Sequence, residues 1–408
     1  MKKNKFFLIV TFIFLITCLS ACSYDSLDSV AGGDGDYAID EAVPPASVDD
    51  DELEEVGILP GQLTAAAYND NDSFEFWRGL LSSSQEAEGI FKNYYEQFAF
   101  KTYNRIKINV PISVPTKISL LDDNNNVLST AHSDVNGVGY LFPTEEKAEY
   151  KIELEYMQEG EEEATTSIET ITGDTTFELT GINNRTDAIQ IMFVIDTTGS
   201  MGDEINYIKA EIADTISRVK SDNDNVYIEL ALMVYRDSND AYVTRYSDFT
   251  TDIDAQQSYL SNQSAGGGGD FEEAVDVALS QAALKQWSSS TNTKILIHVA
   301  DAPAHDSDIA AWNSAVYDLA AKGVHIITVA SSGINKKTEY FFRNQSLITN
   351  GSYVYLTDDS GIGNSHIEAT VEEGPVVEYL NSCLIRLING YYTGVFSDPV
   401  YYQNDVNA

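Results

Sequence analysis

After Gly181 the sequence alternates short apolar runs with helically spaced ones, and no other feature restricts the fold so strongly. Residues 189–195 and 226–235 read as apolar strands, and 242–249 as an edge strand. Between the first two, Ile205, Ile208, Ile212, Ile216 and Val219 recur at helical spacing over 203–220. Residues 271–287 and 309–322 read as helices flanking a strand at 294–300, and Gly323 closes the second helix. A strand at 324–330, a helix around 338–348, a strand at 353–356 and an amphipathic helix at 376–391 complete the series. This alternation predicts an α/β fold, a mostly parallel central sheet with helices on both faces. Such sheets bind ligands in the crevice beyond the carboxyl ends of their strands.

The rest of the chain divides by composition. Lys2, Lys3 and Lys5 precede an apolar run over 6–16, too short for a span of about 20 residues. With Leu19-Ser20-Ala21-Cys22 it reads as a signal peptide over 1–21. The ending resembles a bacterial lipobox, which implies lipid on Cys22 and a stable extracytoplasmic anchor on the cell membrane or outer surface. Cys383 is then the only free thiol, and the apolar run Cys383-Leu384-Ile385 predicts that it is buried. Residues 23–60 hold twelve acids and no Lys or Arg, so 22–58 reads as a disordered acidic tether, extended by self-repulsion.

Residues 59–100 read as an aromatic-rich helical segment docked on its neighbour. Alternating residues such as Ile106, Ile108 and Val110, or Ile152, Leu154 and Tyr156, mark 101–182 as a small all-β sandwich of immunoglobulin-like or carboxypeptidase-regulatory-like type. Asp122 and Asp134 lie in turn clusters without a complete calcium-loop pattern, so turn chemistry is their expected role. Residues 393–408 form a tail. The chain has 24 Lys and Arg against 64 Asp and Glu, a net charge of −40. That balance argues against nucleic acid as a partner, because phosphate binding needs cations to replace condensed counterions. It suits cations, and basic or metal-bridged partners.

The strand at 189–195 runs into Asp196-Thr197-Thr198-Gly199-Ser200-Met201-Gly202. Alternate positions of a tight loop can aim the oxygens of Asp196, Thr198 and Ser200 at one hard cation. The strand at 294–300 ends in Asp301-Ala302-Pro303, again at a carboxyl edge, and Gly266-Gly267-Gly268-Gly269-Asp270 lies between the two. Together these residues resemble the von Willebrand factor type A domain and its metal-ion-dependent adhesion site. The resemblance covers about 186–392, half the chain. It implies a Rossmann-like domain holding Mg2+ or Ca2+, with Mn2+ also accepted, through Asp196, Thr198, Ser200 and Asp301. It implies further that one coordination position stays open for an acidic side chain of a protein partner. The family normally supplies a Thr from the intervening loop. Here Asp270 either replaces it as a ligand or only caps the helix expected from Phe271. Asp237 also ends a strand, which puts it within reach of the site, although a structural role with Arg236 is the favoured reading.

The enzymatic rival is His298-x-x-Asp301-x-x-x-His305 with Asp306, which would suit a metal-dependent hydrolase or an accessory subunit of an envelope enzyme complex. That spacing matches none of the common metal-enzyme signatures such as H-E-x-x-H, and His298 faces away from Ile295, Ile297 and Val299. Ser200 lacks the G-x-S-x-G elbow, and no phosphate-binding G-x-x-x-x-G-K-[ST] loop is present. The expectation is a lipid-anchored, metal-dependent adhesion or assembly module rather than an enzyme.

Overall fold

The computed structural model describes residues 58–82, 89–372 and 374–402. The signal segment, Cys22 and the tether up to residue 57 lie outside them. The chain enters as a strand, β1 (Thr64–Tyr68), followed by α1 (Phe74–Ser82) and α2 (Lys92–Gln97). Seven strands come next: β2 (Ile106–Asn109), β3 (Thr116–Leu121), β4 (Val127–His132), β5 (Val138–Leu141), β6 (Tyr150–Tyr156), β7 (Thr165–Ile171) and β8 (Thr175–Thr176). The α/β half follows as β9 (Thr186–Asp196), α3 (Ile205–Asp222), β10 (Tyr227–Tyr235), β11 (Thr244–Thr250), α4 (Ile253–Ser261), α5 (Val275–Ala283) and β12 (Thr291–Ala300). It continues with α6 (Ile309–Ala320), β13 (Val324–Ala330), α7 (Lys336–Ile348), β14 (Ser352–Leu356), β15 (Glu378–Tyr379) and α8 (Leu380–Thr393).

The main sheet has the order β11-β10-β9-β12-β13-β14-β1-β15. Its centre, β10 through β14, is parallel, and antiparallel β11 and β1 flank it. Pleating sends alternate residues of β9 to opposite layers. Ile189, Ile191, Phe193 and Ile195 pack with Ile208, Ile212 and Ile216 of α3 and with Leu384 and Ile388 of α8. Met192 and Val194 face the other way, towards Val275 and Ala278 of α5, Trp312 of α6 and Phe342 of α7. Both faces are therefore covered, which is why the strands read as nearly continuous apolar runs. Each fully buried Ile or Phe contributes about 1.5–3 kcal/mol relative to exposure.

Residues 59–100 differ from their sequence reading in one important way. Only α1 and α2 are helical, whereas β1 is a strand of the main sheet, with Ala65 opposite Leu356 and Ala67 opposite Val354. Thr-Ala-Ala-Ala-Tyr has no strand signal of its own, since alanine favours helices. Its conformation comes from the open edge of β14 and from fixed partners at each end. Glu211 of α3 accepts the backbone N–H groups of Gly61, Gln62 and Leu63 at 2.8, 2.7 and 3.0 Å. Beyond β1, the fully buried Arg343 of α7 donates its Nε to Asp70 at 3.0 Å. The aromatic residues then cover α7: Trp77 stacks on Tyr340 with centroids 6.2 Å apart, and Phe100 meets Trp312 edge-on at 5.7 Å.

The seven strands β2 to β8 make two small sheets, β5-β2-β8 and β4-β3-β6-β7. Ile106, Ile108, Ile118, Leu120, Ile152 and Leu154 fill the space between them. Asp122 accepts the backbone N–H groups of Asn124 and Asn126, both at 2.8 Å, and Asp134 those of Asn136 and Val138, both at 2.9 Å. Both aspartates are turn-formers. Cys383 is fully buried in the α8 layer.

Candidate metal centre

The strands β9, β10 and β12 end together at one rim of the sheet. Asp196, the last residue of β9, is fully buried, and Asp301, just past β12, is 3% exposed. After Asp196 the chain turns tightly. Thr198 donates both its backbone N–H and its Oγ1 to Asp196 Oδ1, at 2.8 and 2.7 Å. The Thr198 and Ser200 hydroxyls lie 3.2 Å apart, and Ser200 is near enough to the Asp301 carboxyl to oppose the rise of its pKa. Ser200 is exposed, so the cluster reaches solvent through it. These four residues converge.

What they leave unsatisfied is informative. Asp196 Oδ2 and Asp301 Oδ1 are both buried and have no hydrogen-bond partner among the described residues. Unpaired buried carboxylate oxygens are costly, and such groups hold a cation or take up a proton. Burial pushes Asp196 up to about 6, against the opposing hydrogen bonds from Thr198. Asp301 rises to about 7 through burial and then through the Asp196 charge. Two carboxylates and two hydroxyls, all oxygen donors, suit a hard divalent ion. The residues present fit the metal that the adhesion-site resemblance implies.

A third acid joins them, and it is Glu273 rather than Asp270. Glu273 is 2% exposed, its Oε2 has no partner among the described residues, and its backbone N–H is tied to Pro303 O at 2.9 Å. Burial first, and then Asp196, Asp237, Asp301 and Asp240, lift its pKa to about 9. The glycine loop makes room for it. Gly268 has φ +75°, and a Cβ there would come within 3.0 Å of Glu273 Oε1. Gly267 has φ +80°, where a Cβ would collide with Asp240, the acceptor for Gly268 N–H at 2.8 Å.

Asp270 is exposed and stands elsewhere on the rim. One ligand atom each from Asp237, Asp270 and His305 lie within 4.8 Å of one another. Nor does Asp270 cap the following helix. That helix starts at Val275, not Phe271, and its N-cap position is Ala274, with no side-chain cap. Residues 271–274 are irregular instead, with Glu273 N–H bonded to Pro303 O and Val275 N–H to Glu273 O. Glu273 escapes a reading of the sequence because Asp270 directly follows the glycines and draws the assignment to itself. The signal available is an acid three residues further on, at the entrance to an apolar helix.

The histidines do not gather around Asp301. His298 is fully buried, with Nε2 3.0 Å from the Tyr235 hydroxyl and Nδ1 2.9 Å from Gln345 Nε2. Trp312 Nε1, purely a donor, bonds Gln345 Oε1 at 3.0 Å, which orients the amide so that it donates to His298 Nδ1. His298 therefore carries its proton on Nε2 and donates to Tyr235, a residue near enough to Asp196 to oppose the rise of its pKa. Burial takes His298 down to about 3, so it stays neutral. His305 instead pairs with Asp237 at 3.2 Å, and Asp306 with Lys337. Arg236 turns from Asp237 to Ser264 O at 2.8 Å and to the face of Tyr242.

Residues 190–364 match the family model described as the von Willebrand factor A domain. The von Willebrand factor A domain thus accounts for the α/β half, with β1 and α8 completing its sheet and helix layers from outside the matched span. Two curated proteins resemble this chain. Alpha-protein kinase vwkA of Dictyostelium discoideum is 24% identical over 42% of this chain and 28% of its own length. A putative ariadne-like RING finger protein of Acanthamoeba polyphaga mimivirus is 28% identical over 41% of this chain and 18% of its own. The chain thus spans under a third of each relative. Among solved structures, an aerotolerance-related membrane protein from Bacteroides fragilis is 13% identical, with TM-score 0.33, covering 51% of this chain and 100% of that one. The pilus adhesin SpaC from Lactobacillus rhamnosus GG is 12% identical, with TM-score 0.36, covering 67% and 35%.

Proposed function

We propose that the chain is a cell-envelope lipoprotein whose von Willebrand factor A domain binds a protein partner through a divalent metal, as an adhesion or complex-assembly module. One observation carries this reading: Asp196 Oδ2 and Asp301 Oδ1 are buried without partners beside the solvent-facing Ser200 hydroxyl. In this reading Asp196, Thr198, Ser200 and Asp301 hold Mg2+ or Ca2+, with Mn2+ as a substitute. The cation supplies an open coordination position that a partner's carboxylate can complete. The protein's own groups do the rest. Thr198 orients Asp196 through its two hydrogen bonds, and Tyr235, itself bonded to His298, opposes the rise of the Asp196 pKa. The charge of Glu273 deepens the metal's binding and, by over-neutralising it, makes the site discriminating towards an acidic partner.

The attachment proposed is the lipid on Cys22. Among the described residues no helix is long and apolar enough to cross a membrane. We assign no catalytic residue: His298, the histidine three residues before Asp301, is buried in the core between Tyr235 and Gln345. Calorimetry with Mg2+ on wild type and Asp196→Asn tests the metal site. Binding lost in the variant, with circular dichroism unchanged, is the expected result, whereas equal binding in both refutes the site. A pull-down from envelope extract, with and without chelator, tests the partner.

A further inference from the structure

The rim carries a second group of metal-ligating side chains, apart from Asp196 and Asp301. Asp237 follows β10, Asp270 ends the glycine loop and His305 lies in the loop after β12, with one ligand atom of each within 4.8 Å of the other two. Asp237 is 6% exposed, and its Oδ1 lies 3.2 Å from His305 Nε2. Among the described residues neither Asp237 nor Asp270 is paired with a Lys or Arg.

Charge balance around this rim leaves room for more than one cation. Asp196, Asp237, Asp240, Asp270, Glu273 and Asp301 bring six carboxylates to it. Glu273, buried with Oε2 unpartnered, feels charges from both groups, Asp196 and Asp301 of the first and Asp237 of the second. The fixed cations nearby are occupied, Arg236 by Ser264 O and Tyr242 and Lys337 by Glu272 and Asp306. A single dication at Asp196 and Asp301 would leave the Asp237, Asp240 and Asp270 carboxylates, among the described residues, without a Lys or Arg partner.

Ligand chemistry then selects the ion. Magnesium and calcium take oxygen ligands, whereas zinc accepts imidazole and carboxylate together. One histidine and two aspartates supply three protein ligands and leave a position open. Tetrahedral bonds of about 2.1 Å separate ligand atoms by roughly 3.4 Å, so the present spacing has to contract by little more than an ångström. Asp270 is exposed and directly follows Gly269, so that side can move.

We propose that Asp237, Asp270 and His305 form a second cation site, zinc-selective and distinct from the oxygen-only site beside it. The proposal does not depend on the function proposed above. The test is equilibrium dialysis of the full chain against Zn2+, alone and with excess Mg2+, followed by measurement of bound metal. Zinc retained in excess magnesium is expected. His305→Ala and Asp270→Asn should each weaken zinc by more than about tenfold while leaving magnesium binding as it was. Asp196→Asn should do the reverse, which separates failure of one site from failure of the other. Zinc binding unchanged in His305→Ala, or zinc displaced from wild type by magnesium, overturns the proposal.

Discussion

Replacing Glu273 by Gln should stabilise the metal-free protein and weaken the metal-bound one. The side chain keeps its shape and loses only its charge. Glu273 is held up to about 9 by burial and by Asp196, Asp237, Asp301 and Asp240, against an ordinary 4.5. A carboxyl whose folded pKa exceeds its unfolded value takes up a proton on folding, so its contribution is least harmful below about pH 4.5 and worsens as pH rises towards 9. At pH 7 the 2.5 units above 4.5, at about 1.36 kcal/mol each, set a ceiling of roughly 3.4 kcal/mol. Part of that belongs jointly to Asp196 and Asp301, which repel the same charge, so relief of about 1–3 kcal/mol is expected. In scanning calorimetry with chelator that is a rise of about 2–6 °C near pH 7, shrinking as pH falls towards about 5. In saturating magnesium the order should invert, because bound metal stabilises by RT ln(1 + [L]/Kd) and the variant has the larger Kd. An unchanged pH slope together with an unchanged magnesium-induced shift would refute the placement of Glu273 in the site.

Asp70→Ala leaves Arg343 buried with only Glu339 as counter-charge, and should cost about 3 kcal/mol, read as a lower denaturant midpoint with β1 and α7 losing protection in hydrogen exchange. Cys22→Ser should abolish fatty-acid labelling and move the protein out of the membrane fraction; labelling that persists in the variant counts against the lipobox.

Local periodicity is enough to assign the fold class. The two-residue pleat and the spacing of Ile205, Ile208, Ile212 and Ile216 are properties of neighbouring residues, so the parallel sheet and its helix layers are legible in the residue pattern alone. The Asp196, Thr198 and Ser200 cluster is legible for the same reason, since a tight loop fixes the separation of alternate side chains. Asp301 follows from the rule that sites gather at carboxyl ends. What the sequence could not express were decisions made across long separations. Thr64–Tyr68 is a strand because β14 offers an edge nearly three hundred residues later, and nothing in three consecutive alanines announces that edge. The choice of Glu273 over Asp270 as the inward acid depends on where α5 begins, and just before that point Glu273 N–H is bonded to Pro303 O in a different loop. The same displacement puts Asp270 beside Asp237 and His305. Composition by itself determines that this chain carries far more negative charge than positive. Only tertiary packing decides which of those carboxylates lose their water, and a buried carboxylate, unlike an exposed one, must find a cation or a proton.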